Sequence, residues 1–286
     1  MGRGGASGRV ASGRRPNLAV RAVSGGAAPA RDLTEWGAGI INRVLAAMSL
    51  VALACAEQGW ADDLPAGFAR LRDVAPNIRQ DIRYATTFNF TGEVAPRYER
   101  PECVVTKQAV EALINVERHL NEQGLALKVY DCYRPARAVN FFVSWVEGNQ
   151  ESPLKNVFYP HVDRRDLIRL GYIASKSGHS RGSTLDVGLV RLSDAELRTP
   201  KQGGECDGPF ESRPRESLLD MGTSFDCFSP KSAFAATDVS AEARANRTTL
   251  REAMTQYGFN PYEPEWWHFT LNAEPYPDTY FDFPVR

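Results

Sequence analysis

Ser177-Gly178-His179-Ser180-Arg181-Gly182-Ser183-Thr184-Leu185-Asp186-Val187-Gly188-Leu189-Val190 joins a polar, glycine-punctuated turn to a strand. From Thr184 onward the apolar residues Leu185, Val187 and Leu189 alternate, which puts them on one face and Asp186 on the other. A loop histidine thus precedes a strand carboxylate by seven residues, with Gly182 letting the backbone turn between them. A second polar element, Pro264-Glu265-Trp266-Trp267-His268-Phe269, leads into a final strand from Trp266 to Leu271. There a carboxylate and an imidazole stand three residues apart, flanked by two indoles that would exclude water.

Working outward, Val110, Leu113, Ile114, Val116 and Leu120 recur at helical spacing from Thr106 to Glu122, and Gly124 is a natural stop. Leu125 to Tyr130 reads as a strand running into Asp131, and a helix follows Pro135. Ser240 to Tyr257 is another helix, ended by Gly258. Residues 200–232, with several Gly, Pro and Ser, read as a long surface loop of the kind that often forms a lid. Helices and strands without regular alternation predict an α+β fold: one compact domain, a central mainly antiparallel sheet flanked by helices, and the site at the sheet face.

Two imidazoles and one carboxylate make a three-ligand zinc site with its fourth position open, the pattern of catalytic zinc. Glu265 is then free to act as general base beside the metal. The plain alternative is that His179 caps a turn and His268 is a satisfied core histidine. For a lone histidine that alternative is the better one; the two motifs together bring the metal reading level with it. His119, in a helix, and His161, in a loop, are assigned no function. Arg134, in Tyr130-Asp131-Cys132-Tyr133-Arg134-Pro135, could aim its fork at a carboxylate or oxyanion. Taken alone, that signal favours a surface salt bridge.

The net charge of −1 argues for neither nucleic acid nor an anionic membrane as partner. It hides an asymmetry: residues 1–56 carry seven Arg against Asp32 and Glu35, leaving 27 basic and 33 acidic residues beyond them. The basic start precedes the apolar run Val44 to Ala54, too short to span a bilayer as a helix, which needs roughly 20 residues. With Arg43 before it and small-x-small sites ending at Ala56 and Ala61, it reads as a secretory signal. The expectation is a leader over 1–61, a single domain over 62–286, and an exported, periplasmic product. Lipid anchoring at Cys55 is the lesser alternative. Losing Cys55 leaves Cys103, Cys132, Cys206 and Cys227, which allow three pairings. Cys206–Cys227 with Cys103–Cys132 is favoured, because the first would staple the loop between its cysteines.

These motifs, in this order, resemble those of the VanX-type zinc D-Ala-D-Ala dipeptidases of peptidase family M15. The likeness extends from Asp81-Ile82-Arg83-Tyr84-Ala85-Thr86 through Asn89-Phe90-Thr91-Gly92 and Ala174-Ser175-Lys176-Ser177. It continues through Met221-Gly222-Thr223-Ser224-Phe225-Asp226 to Tyr280-Phe281-Asp282-Phe283-Pro284-Val285. The resemblance implies one Zn2+ per chain on His179, Asp186 and His268, with Glu265 as catalytic base and Arg134 as transition-state stabiliser. It implies further that Ser177 and Asp226 contact the dipeptide's termini and that Tyr84 and Tyr98 line the pocket. The substrate expected is free D-alanyl-D-alanine, in cell-wall salvage or turnover. The alternatives are a D,D-carboxypeptidase or, less readily, an L,D-carboxypeptidase on the same scaffold, and a silent zinc- or wall-binding module. A cysteine-flanked segment, 203–217, departs from the shorter members and leaves pocket size open.

Overall fold

The computed structural model describes residues 64–194, 200, 202–216 and 218–286. The apolar run, both cleavage sites, Cys55 and Ser217 lie outside them. In chain order the described elements begin with β1 (Phe68–Arg70), α1 (Leu71–Val74), β2 (Arg79–Gln80) and β3 (Val104–Thr106). There follow α2 (Lys107–Asn121), β4 (Leu125–Asp131), α3 (Ala136–Glu147), α4 (Lys155–Phe158) and β5 (Thr184–Arg191). The last are α5 (Ala241–Gln256), β6 (Phe259–Tyr262) and β7 (Glu265–Leu271). The main sheet runs β2-β4-β5-β7-β6, and β1 and β3 form a separate antiparallel pair. Only β2 pairs parallel with its neighbour, β4, so the α+β expectation of a mainly antiparallel sheet holds.

Local chemistry sets the helix ends. The Thr106 hydroxyl accepts from the Ala109 N–H at the start of α2, and Ser240 accepts from Ala243 at the start of α5. Gly124 and Gly258, just beyond these helices, adopt φ of +73° and +90°, a region that favours glycine. The stripe Ala109, Val110, Leu113, Val116 and Leu120 buries α2 against the sheet. Strand β5 is buried on both faces from Thr184 to Val190, which makes it the centre of the domain.

The segment before α5 departs from the surface loop expected over 200–232. Met221, Phe225, Cys227 and Phe228 are buried, and both favoured disulfides, Cys103–Cys132 and Cys206–Cys227, are formed. Arg247 of α5, itself 1% exposed, donates to the carbonyls of Met221, Lys231 and Ala233 at 2.6–2.7 Å. Polar composition suggested a lid, but a buried arginine and a disulfide pull the chain inward. No described helix is long and apolar enough to cross a membrane.

Candidate metal centre

Strand register assembles the site before any side chain is considered. Asp131 on β4 pairs with Asp186 on β5, and Asp186 pairs with His268 on β7. A short 3-10 turn, Gly178–Arg181, brings in His179 and ends on Gly182 at φ +85°. A Cβ on Gly182 would lie 2.2 Å from the Phe68 ring, so both conformation and space demand glycine there. The Ser177 hydroxyl accepts from the His179 N–H and caps this turn.

His179 Nε2, His268 Nδ1 and Asp186 Oδ1 form a nearly equilateral triangle. Its edges are 3.3 Å between the imidazoles, 3.4 Å from His179 to Asp186 and 3.2 Å from His268 to Asp186. Tetrahedral bonds of about 2.0–2.1 Å to a common ion would space their ligand atoms at roughly 3.3–3.4 Å. Asp186 Oδ1 is buried and accepts no hydrogen bond, which protein interiors seldom tolerate without a partner. The donor set therefore fits a divalent cation. Burial works against the charge of Asp186, yet the two imidazoles hold its carboxyl well below the ordinary range.

Behind the triangle, His179 Nδ1 lies 2.8 Å from the Cys132 carbonyl, which can only accept. That contact puts the proton on Nδ1 and turns the Nε2 lone pair towards the triangle. Asp131, fully buried, lies 3.3 Å from the same Nδ1. It also accepts from the Tyr98 hydroxyl at 2.6 Å and from Arg134 Nε at 2.9 Å. Burial pushes its carboxyl up, against the pull of Arg134 and His179. Asp131 was not among the site residues read from the sequence. Its signal was available: a carboxylate at the end of an apolar strand, three residues before Arg134.

A cleft of about 260 Å³ opens onto the triangle, and Tyr84, Arg134, Ser177, Asp226, Glu265 and Trp267 share its wall with the three donor residues. With Nε committed to Asp131, Arg134 rests over the Tyr84 and Phe142 rings and sends Nη2 to 3.6 Å from Asp186. Glu265 Oε2 lies 3.6 Å from His268 Nδ1. Burial and the nearby Asp186 carboxylate push Glu265 up to about 8. Asp226 is likewise pushed up to about 8 by burial and Asp186, and its Oδ2 accepts from the Tyr84 hydroxyl at 2.9 Å. Its φ of +62° is uncommon for a residue with a side chain and marks a backbone held by its surroundings. Tyr98 does not share this wall. Its hydroxyl is turned away to Asp131, because a buried phenol needs an acceptor. His119 packs beside Tyr257 on α2, and His161 is exposed.

Comparison with known proteins decides the family. The model of family Peptidase_M15, described as D-ala-D-ala dipeptidase, matches residues 65–215 and 202–286. The chain belongs to this family. A D-alanyl-D-alanine dipeptidase of Enterococcus faecium is 39% identical over 220 residues, covering 77% of this chain and 98% of the relative. One from Streptomyces coelicolor is 37% identical over 218 residues, covering 76% and 98%. A more distant Escherichia coli relative of the same name is 28% identical over 205 residues, covering 71% and 84%. Peptidase_M15 membership makes the chain a peptidase of a metal-dependent class, in keeping with the donor triangle. The two family matches overlap at 202–215, which covers most of the cysteine-flanked segment 203–217.

Proposed function

We propose that the chain is an exported zinc dipeptidase that hydrolyses free D-alanyl-D-alanine. The observation that carries this reading is a three-donor triangle sharing one small cleft with a buried acid, Asp226, and a half-committed arginine, Arg134. His179, Asp186 and His268 would hold the metal. Zinc bound there supplies Lewis acidity, bringing the pKa of a water down to about 7 and polarising a carbonyl.

Glu265 takes the proton of the attacking water and returns it to the departing amine. Its carboxylate stands in the cleft wall 3.6 Å from His268, beside the donor triangle, where it can reach both the water and the amine. The Nη atoms of Arg134, which are not bound to Asp131, meet the negative charge that develops on the carbonyl oxygen. Asp226, steadied by Tyr84, accepts the substrate's ammonium group, and Ser177 faces the other terminus. A cleft lined by a buried carboxyl group suits a free amino terminus better than an acylated one, which favours the dipeptidase over the carboxypeptidase. Export is supported by the basic leader with its apolar run and by two disulfides, which persist in oxidising compartments.

The test is D-alanine release by the zinc-loaded protein from free D-Ala-D-Ala and from an N-acylated peptide ending in D-Ala-D-Ala. Turnover of the free dipeptide alone is expected. Preference for the blocked peptide would make the enzyme a carboxypeptidase, and silence on both would leave a binding module.

A further inference from the structure

Glu216 is buried, lies in the cysteine-flanked segment and takes no part in lining the cleft. Its carboxylate joins two distant stretches of chain. Oε1 accepts from Arg83 Nη2 at 2.8 Å, and Oε2 accepts from the Phe225 N–H at 3.3 Å. Arg83 immediately precedes Tyr84, and Phe225 immediately precedes Asp226. One side chain thus ties the Arg83 guanidinium to the Phe225 backbone, the immediate predecessors of the hydrogen-bonded pair Tyr84 and Asp226.

The clamp is itself fixed. Arg83 and Lys128 both reach Asp81, at 2.9 and 2.8 Å, and Lys128 Nζ donates to the Glu216 carbonyl at 2.6 Å. The Tyr130 ring lies against both cations and stacks on Phe225 at 4.4 Å. The Ser224 N–H donates to the Cys206 carbonyl, and Cys206 is bonded to Cys227 on the far side of Asp226. Apolar side chains could fill such a volume at less desolvation cost, so a buried ionic cluster here is better suited to fixing a geometry than to adding stability.

We propose that Glu216 is the positioning residue of the ammonium subsite, setting the Tyr84–Asp226 spacing and through it the affinity for a free amino terminus. The proposal rests on Asp226 being the ammonium acceptor. An interaction made equally in ground and transition states acts on KM and leaves kcat alone. Glu216→Ala should therefore raise KM for D-Ala-D-Ala about tenfold, with kcat within about threefold and metal content unchanged. Glu216→Gln, which keeps the shape and an acceptor for Phe225, should raise KM less; it also carries the test should the alanine variant not fold.

The deciding measurement combines each variant with Asp226→Asn. If Glu216 acts through Asp226, its substitution adds nothing further to KM in the Asp226→Asn background. An equal increment in both backgrounds, or a fall in kcat at constant KM, overturns the positioning role alone. Asp226→Asn leaving KM unchanged overturns the ammonium reading and the role of Glu216 with it.

Discussion

Asp186 and His268 face one another across a strand ladder, whereas Asp226 sits at φ +62° in a segment without helix or strand. The two regions share one cleft and are held by different forces. On the sheet, β4, β5 and β7 run side by side, and backbone hydrogen bonds fix which residues stand abreast. Around Asp226 the holding is done by side chains: Glu216, Arg247, the Cys206–Cys227 bond and the stack of Tyr130 on Phe225. A ladder tolerates side-chain changes because its bonds are main-chain. A clamp of side chains fails when one member is lost, since a buried ion left without its partner is costly.

This contrast can be broken from either side. The largest effect is expected at the sheet: Glu265→Gln should lower kcat roughly 10²–10⁴-fold while metal content stays full. A variant retaining most activity would move the proton-transfer role elsewhere in the cleft. Next in size, Asp131→Asn should weaken metal binding roughly 10–100-fold, measured by competition with a chelator, because Asp131 orients His179 from behind. Unchanged affinity would mean that the Cys132 carbonyl alone suffices. The smallest effect belongs to the clamp and is one of stability. Burial opposes the charge of Asp81, but Arg83 and Lys128 outweigh it and bring its pKa to about 2 from the ordinary 3.8. A carboxyl depressed on folding contributes stability that is whole above about pH 4 and lost as pH falls through about 2. Asp81→Asn should flatten that limb of an acid-unfolding curve, and a limb of unchanged slope would remove Asp81 from the account.

The same division marks what the sequence made legible. Helices α2 and α5 and strands β4, β5 and β7 follow from apolar period, capping hydroxyls and stop glycines, all local signals. His179, Asp186 and His268 stood out because each sits in a short motif whose spacing a strand or turn makes meaningful. Asp131 was overlooked because a charge ending a strand is ordinary until its neighbour across the ladder is known. Glu216 and Arg247 had no local signal, since each has partners well outside its own turn of chain, the most distant 133 and 26 residues away. Tyr98 shows the converse: the family resemblance points it to the pocket, but the buried carboxylate of Asp131 takes its hydroxyl away.

Trp266 and Trp267 pack edge to face with ring centres 5.2 Å apart, and Trp267 forms part of the cleft wall. Adjacent indoles couple their near-ultraviolet transitions, and the emission of a wall indole follows the water and charge beside it. The protein thus carries an intrinsic optical reporter at its centre. Circular dichroism and fluorescence can follow cation and dipeptide entry in variants that turn nothing over.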